Sequence, residues 1–503
     1  MSRPFVRLMH VQFAYPSSVE PLFDDLTLHF GPGWSGVVGG NGTGKTTLLR
    51  LATGQLAPDE GLVEAPDRVA YCPQRTDDPP AELADFLLDE GRVAARLRDR
   101  LGIAADFEAR WESLSHGERK RAQIAAALWT EPDVLAVDEP TNHLDGEARD
   151  QLETALGSFG GVGILVSHDR ALLDALCAQC VFIDPPDVVA RPGGITAGQQ
   201  VAAQEREAAA SSLDQDRLAL KKTRREAARR EALSATADRR RSKRGLDPHD
   251  HDSRDRINRA RVTGKDGVGG KLLSQMQGQV ARIEQRIAEA DIHKEYTIGV
   301  DFAGVASKRD ALLRLPAGAL PLGPGDVLTI PPLVIRPTDR IALTGLNGTG
   351  KSTLLRFLAG HLELPPERCV IVSQEIDAAE SVSLLQEVRA LGSEELGHLM
   401  TLVSRLGSRP QRLLTTAQPS PGETRKLVLA LGLLREPHLI VMDEPTNHMD
   451  LPSIEALEEA LDAVRCALLL VSHDARFLAR LTTISWRIAP DPLRRGSYQL
   501  HVE

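Results

Sequence analysis

The chain has 503 residues, 42% of them hydrophobic and 26% charged, with a formal net charge of −10 at pH 7. That length favours several domains. No apolar run is long enough to cross a bilayer, and the opening stretch MSRPFVRLMHVQFAYP lacks the uninterrupted apolar core of a signal peptide. These features point to a cytosolic protein, and its five cysteines fit a reducing compartment. Cys177 and Cys180 form a C-x-x-C without a second pair to complete a zinc site, so they read as ordinary core or surface residues.

The first strong signal along the chain is GGNGTGKTTLLR, Gly39 to Arg50. An apolar run, WSGVV, precedes it and a helical pattern, KTTLLRLATG, follows, which gives strand, glycine-rich loop and helix in order. This fits the phosphate-binding pattern G-x-x-x-x-G-K-[ST]. Glycines let the backbone wrap a polyphosphate, and free N–H groups at the helix start attract its charge. Lys45 would reach the β- and γ-phosphates, and the Thr46 hydroxyl would face Mg²⁺. About forty residues separate Gln74 from Leu114, room for a small helical subdomain. LSHGE follows from Leu114, then VLAVDEPTNHLD (Val134 to Asp145), then ILVSHDRALL (Ile164 to Leu173).

From Gln199 to Arg244 the sequence is rich in Ala, Glu, Gln, Lys and Arg, with neither Pro nor Gly, and predicts one long helix ended by Gly245 and Pro248. A loop-like stretch follows, with a short helical piece around Arg254 to Arg261. Lys271 to Ile292 predicts a returning helix whose apolar stripe is Leu272, Met276, Val280, Ile283 and Ile287. The expected arrangement is an antiparallel hairpin with a basic cluster toward its far end. Between Lys221 and Lys271 there are 17 Lys and Arg against 8 Asp and Glu, hence +9, which leaves −19 for the rest of a chain of −10. One basic segment on an acidic body indicates a directed contact with a polyanion; the plainer reading is a linker helix whose charges only keep it soluble.

The motifs then return. GLNGTGKSTLLR runs from Gly345 to Arg356 after the apolar RIALT. PSPGETRKLVLALGL, LIVMDEPTNHMD and LLVSHDARFL repeat the later motifs in the same order. Lys45 to Lys351 is an offset of 306, while Gly117 to Gly422, Glu139 to Glu444 and His168 to His473 are each offset by 305. A repeat this long, with its internal spacing kept, means two homologous α/β domains and not a solenoid. Lys351 and Ser352 would act as Lys45 and Thr46 do.

This order of motifs resembles the ATP-binding cassette domain. Two cassettes in one chain, joined by a charged helical segment and carrying DEPTNHLD and DEPTNHMD, resemble the ABC-F subfamily of soluble twin-cassette ATPases acting on the ribosome. The fold class this implies is α/β, two tandem P-loop NTPase cassettes joined by a basic α-helical hairpin: residues 1–198 as first cassette, 199–295 as linker and 296–503 as second cassette.

The resemblance implies ATP and Mg²⁺ as cofactors. It implies nucleotide binding by Tyr15, Gly39, Asn41, Gly42, Gly44, Lys45, Thr46, Thr47, Gly345, Asn347, Gly348, Gly350, Lys351, Ser352 and Thr353. Ser115 and Gly117 of the first signature would close over ATP held by Lys351, and Ser420 and Gly422 over ATP held by Lys45. Asp138 and Asp443, with Thr46, Ser352, Gln74 and Gln374, would serve Mg²⁺. Glu139 and Glu444 would polarise the attacking water, Gln74 and Gln374 would sense metal and water, and His168 and His473 would bridge the γ-phosphate. Asp145 and Asp450 would sit at the domain interface. Tyr15 would stack on adenine or be a plain strand aromatic.

The resemblance also implies a linker that enters the ribosomal tRNA exit site and approaches the peptidyl-site tRNA. The partners are then ribosomal RNA and tRNA, with no membrane or DNA, and the cassettes pair within a monomer. The family holds both translation factors and proteins that displace antibiotics, and the sequence does not separate these. The polar, basic hairpin tip leans toward a housekeeping or stress role. The alternatives are the motor subunit of a transporter, which has no need of a basic insertion, and a DNA-repair or structural-maintenance ATPase, which would carry a zinc module or long coiled coil. Two departures from the family pattern predict unequal sites. His116 stands where glycine is usual in the first signature, and Pro419 and Pro421 flank Ser420 in the second, removing backbone N–H donors. No aromatic residue stands ready for a second adenine in PLGPGDVLTIPPL.

Overall fold

The computed structural model describes residues 3–18, 20–141, 144–240, 266–291, 304–323, 325–373, 378–407, 420–447, 449–492, 494 and 496–503. They form two compact units: residues 1–198 together with 301–503, and residues 199–300.

In the first repeat, five parallel strands lie in the spatial order Val69–Cys72, Val134–Asp138, Val162–Val166, Gly33–Gly39 and Cys177–Asp184, and Asp187–Pro192 closes the sheet antiparallel. Every residue of Val134–Asp138 and Val162–Val166 is buried. Parallel strands covered on both faces read as continuous apolar runs, as VLAVD and VGILV do. Three strand ends thereby meet at one edge. Gly39 opens the glycine loop, Asp138 precedes Glu139, and Val166 leads to His168, with the last of these strands lying between the other two. Open α/β sheets bind ligands at this carboxyl edge. The second repeat builds the same order from Cys369–Val372, Leu439–Asp443, Ala467–Val471, Arg340–Gly345 and Ile484–Pro490.

A separate antiparallel sheet in the first cassette, Phe23–Phe30, Val6–Phe13 and Glu60–Glu64, packs Val6, Leu8, Val11 and Phe13 with Leu48, Leu49 and Leu51 of the helix Lys45–Ala52. The stretch between Gln74 and Leu114 forms helices at Leu83–Leu88 and Arg92–Leu101 and a 3₁₀ turn at Trp111–Ser113. Phe86, Leu97, Leu101, Phe107 and Trp111 give this small layer its own core. Cys177 and Cys180 are buried strand residues.

The linker starts earlier than its composition suggests. Its first helix is Ile195–Arg240, 46 residues, and begins four residues before Gln199. The cause is a cap supplied from far away in sequence: Asp174 accepts from the Thr196 backbone N–H (2.9 Å) and from the Thr196 hydroxyl (2.5 Å). The returning helix is Asp266–Asp291. Met276, Val280, Ile283 and Ile287 are half-buried rather than fully buried, at spacings of four and three, and Leu213, Leu220 and Ala227 are half-buried on the first helix. Arg224 pairs with Glu284 at 2.7 Å and Arg286 with Asp216 at 2.8 Å, so the two helices run antiparallel. The end of the long helix at Gly245 and Pro248, the piece at Arg254–Arg261 and most of the basic far end lie outside the described residues.

Trp34 occupies the space over Gly163 on the neighbouring strand, where an added Cβ would overlap the indole ring, and its Nε1 donates to Leu156 O at 2.9 Å. Gly163→Val therefore overpacks the first cassette and costs about 1–3 kcal/mol. Urea denaturation followed by Trp fluorescence measures this, and an unchanged midpoint would refute the packing argument.

Candidate active site

Each glycine loop holds its shape through its own lysine. Lys45 Nζ donates to Gly39 O (2.9 Å) and Gly40 O (2.8 Å), and Lys351 Nζ donates to Gly345 O (2.8 Å) and Leu346 O (3.1 Å). Gly44 (φ 100°) and Gly350 (φ 91°) take left-handed conformations immediately before their helices. A side chain at Gly350 would also collide with Leu322, so this position requires glycine on both counts. Thr46 Oγ1 donates to Asp138 Oδ2 at 2.7 Å, and Ser352 Oγ to Asp443 Oδ2 at 2.6 Å.

Glu139 and Glu444 each stand one residue beyond a buried strand, with φ of 46° and 48°. Non-glycine residues at positive φ are held by their surroundings, and here the backbone N–H groups donate to Val166 O and Val471 O, both at 2.9 Å. Both carboxylates are 5% exposed. Neither Glu139 oxygen has a well-aligned hydrogen bond, nor has Glu444 Oε1. His168 Nε2 lies 3.0 Å from Glu139 Oε1, and His473 Nε2 lies 3.4 Å from Glu444 Oε1. The His473 backbone N–H donates to Glu444 Oε2 at 3.3 Å, and His473 Nε2 is 3.3 Å from Asn347 Oδ1.

Burial governs the charges. It pushes the Glu139 carboxyl up, against the pull of Lys45, and the Glu444 carboxyl up to about 7, against Lys351. It pushes His168 down to about 3 and His473 down to about 4, with Lys45 and Lys351 adding to the fall. Both histidines are therefore neutral at pH 7, and their side-chain contacts with the glutamates are close polar contacts, not ion pairs. A neutral imidazole beside an under-bonded carboxylate leaves room to bind and orient a water.

A cavity of about 480 Å³ brings together Tyr15, Asn41, Gly42, Gly44, Lys45, Thr46, Thr47, Gln74, Asp138, Glu139 and His168. Tyr15 is 39% exposed, its ring meets Phe13 edge-on, and its hydroxyl is 2.8 Å from Thr47 Oγ1. The second cavity, about 450 Å³, gathers Asn347, Gly348, Gly350, Lys351, Ser352, Thr353, Asp443, Glu444 and His473 with Arg149, His168 and Asp169 of the first repeat, and no Phe, Tyr or Trp lines it. Gly39 and Gly345 stand at the strand ends behind these loops. Gln374 and Pro419 lie outside the described residues.

The two signatures line neither cavity. Ser115 and Ser420 each cap a helix through a reciprocal box with Glu118 and Glu423, which places Gly117 and Gly422 in the first turn. Pro421 takes the first helical position, where His116 stands in the other repeat. That turn therefore offers one fewer free N–H. The repeats do meet elsewhere. Asp450, which caps its own helix at Ser453, also accepts from the Asn41 backbone N–H at 2.6 Å; Asp145 caps its helix at Ala148.

Several contributors were missed in the sequence. Lys120, fully buried, donates to Pro73 O (2.5 Å) and Asp138 O (2.9 Å), tying the signature helix to the neighbours of Gln74 and Glu139. Arg170 bonds Glu458 (2.5 Å) and Asp474 (2.9 Å) of the other repeat. A charged R-K-R run after the signature and an Arg after SHD were visible, but nothing local marks them as buried.

For Mg²⁺, the hydroxyl–carboxylate pairs Thr46–Asp138 and Ser352–Asp443 supply the hard oxygen donors it prefers. Among the described residues no group of three or more His, Cys, Asp or Glu side chains could hold a metal alone. The residues fit an ion that takes its remaining ligands from phosphate and water.

A family model described as ABC transporter matches residues 23–142 and again 332–447. The chain is 30% identical to the tylosin resistance ATP-binding protein TlrC of Streptomyces fradiae, over 92% of this chain and 93% of that one. It is 29% identical to the ribosome protection protein VmlR of Bacillus subtilis strain 168, over 89% and 80%. Among solved structures, the RNase-L Inhibitor superposes with a TM-score of 0.62 at 19% identity, covering 98% of this chain and 89% of that one. Among the described residues no helix is long and apolar enough to cross a membrane.

The raised Glu444 carboxyl has a consequence for stability. A group held above its ordinary value of 4.5 contributes fully below pH 4.5, and that contribution is lost as pH rises through about 7. Glu444→Gln should therefore be more stable than the unmodified chain at pH 8, by up to about 3 kcal/mol. The gain should vanish by pH 4.5. Paired thermal melts at pH 5 and 8 test this, and a gain that does not change with pH counts against it.

Proposed function

Because the chain belongs to the ABC-F subfamily of ATP-binding cassette proteins, and is an ATPase of that kind, we propose that it binds the ribosome in its ATP-bound closed state and leaves on hydrolysis. The observation that carries this reading is the pairing of two complete phosphate and carboxylate sites with one long inserted helical hairpin. A transporter motor has no use for such an insertion. Relatives named for ribosome protection and tylosin resistance support it. In this reading the hairpin, residues 199–295, enters the ribosome near the tRNA exit and peptidyl sites, and its basic residues meet RNA phosphate.

The chemistry follows from the geometry. Lys45 and Lys351, with the loop N–H groups, bind the β- and γ-phosphates. Thr46 with Asp138, and Ser352 with Asp443, hold Mg²⁺, which offsets charge developing on the phosphates. Glu139 and Glu444 accept the proton of the attacking water, which their under-bonded oxygens are free to do. Neutral His168 and His473 fix the water and the γ-phosphate, and Gln74 and Gln374 sense metal and water. Ser115 with Gly117, and Ser420 with Gly422, close over the nucleotide of the opposite repeat, so that closure requires ATP at the interface. Tyr15 stacks on adenine in the first-cassette site, while the second relies on phosphate contacts alone.

The double variant Glu139→Gln with Glu444→Gln should keep ATP and the closed state. In a cell extract with ATP it should pellet with ribosomes and stall translation, whereas without ATP it should stay in the supernatant. Absence of ATP-dependent pelleting with ribosomes of the native host would sink this reading. The single variants should differ. The site pairing Lys351 with Ser115 turns over faster than the one pairing Lys45 with the proline-flanked Ser420. Glu444→Gln should then remove more of the total ATPase rate than Glu139→Gln, and equal losses would count against unequal sites.

A further inference from the structure

The two hydrolytic sites differ in one residue that crosses between repeats. Arg149 lies in the helix Gly146–Gly157, four residues after its cap Asp145. Its guanidinium is mostly buried, with the side chain 18% exposed. Nη1 donates to the backbone carbonyl of His473 at 3.0 Å, and Nε lies 2.9 Å from Asp169 Oδ2. Arg149 also lines the second-repeat cavity with Lys351, Ser352 and Glu444. The equivalent position in the second repeat, 305 residues on, is Ile454, a buried residue without a donor. Among the described residues, none from the second repeat lines the first-repeat cavity.

We propose that Arg149 is a positioning residue supplied by the first repeat to the second-repeat site, and that the first-repeat site has no counterpart. His473 is then held at three points. Arg149 holds its carbonyl, Glu444 accepts from its N–H at 3.3 Å, and Asn347 Oδ1 lies 3.3 Å from its ring Nε2. The Glu444 carboxylate is thus aimed through His473 by a cation from the other half of the molecule. Asp169, which orients Arg149, also caps the helix Arg170–Leu176 that follows His168. The state of one switch histidine segment therefore reaches the other through a single guanidinium.

This inference rests on Glu139 and Glu444 being the two bases, and the experiment separates the ideas. In full-length Glu139→Gln protein, where turnover comes from the second-repeat site, Arg149→Ile should lower kcat about tenfold and change KM for ATP less than twofold. Arg149→Lys should restore part of the rate, since a lysine supplies a charged donor without the planar fork. In Glu444→Gln protein the Arg149→Ile loss should be at least five times smaller. Equal losses in both backgrounds, a rise in KM with kcat intact, or no rescue by Arg149→Lys would each overturn the proposal. Should the double glutamine variant keep its turnover, the assignment of the bases falls instead. The kcat loss of Arg149→Ile in the otherwise unaltered chain, set against its KM and its rescue by Arg149→Lys, then decides the role of Arg149.

Discussion

The constraint on which the rest of the structure depends is the burial of two carboxylates without full hydrogen bonding. An isolated carboxylate taken out of water costs several kcal/mol even after the protein relaxes. Glu139 and Glu444 are almost wholly buried, have left-handed backbones and keep oxygens without well-aligned partners. Such an arrangement persists only where a fixed cation and a rigid frame offset it. Lys45 and Lys351 are the cations, each anchored by two carbonyls of its own loop. The parallel sheet is the frame, since its strand order sets the carboxylate strand two places from the loop strand with the histidine strand between them. The lysine, glutamate and histidine come from distant parts of the sequence and meet because of that order.

The repeat explains why so much of this was legible beforehand. VLAVD and LIVMD read as strands because apolar runs covered on both faces look alike in any parallel sheet, and the glycine loops read as phosphate cradles because few other functions need that spacing. Tyr15 was open between two readings. Its hydroxyl contact with Thr47 and its place on the cavity wall show that it belongs to the site surroundings. What sequence could not show were contacts fixed by packing between distant segments, within a repeat and across the two. Lys120 looks like one charge in a solvated R-K-R run, yet it is the one driven inside, where desolvation lowers it to about 8. Arg149 leaves a trace only when the repeats are laid side by side, as an arginine facing an isoleucine.

The early start of the linker helix has the same origin. Composition marks where a helix is favourable, but Asp174 decides where this one begins by capping Thr196. Asp174 has a second partner, Arg476, which also donates to the Thr196 hydroxyl at 2.6 Å. Arg476 stands three residues after His473, in the helix Ala475–Leu481 capped by Asp474. The first turn of the 46-residue helix is thus bonded directly to the segment that follows a switch histidine.

These contacts follow one rule. His168 and His473 are each followed by an aspartate that caps a short helix, and each of those aspartates meets an arginine from the first repeat: Asp169 meets Arg149, and Asp474 meets Arg170. Arg170 also bonds buried Glu458, so separating the repeats would strand charges that are largely out of water. Removing one partner of a buried pair typically costs about 3–5 kcal/mol. Arginines therefore hold the interface from both sides, Arg149 and Arg170 from the first repeat and Arg476 from the second, but they do not occupy equivalent positions. A symmetric pair of cassettes would give both sites the same response to closure. Here Arg149 of the first repeat lines the second-repeat cavity, while its counterpart 305 residues on is the buried Ile454. The two sites can then differ in rate while keeping the same loop, carboxylate and histidine, because the difference lies in what crosses the interface.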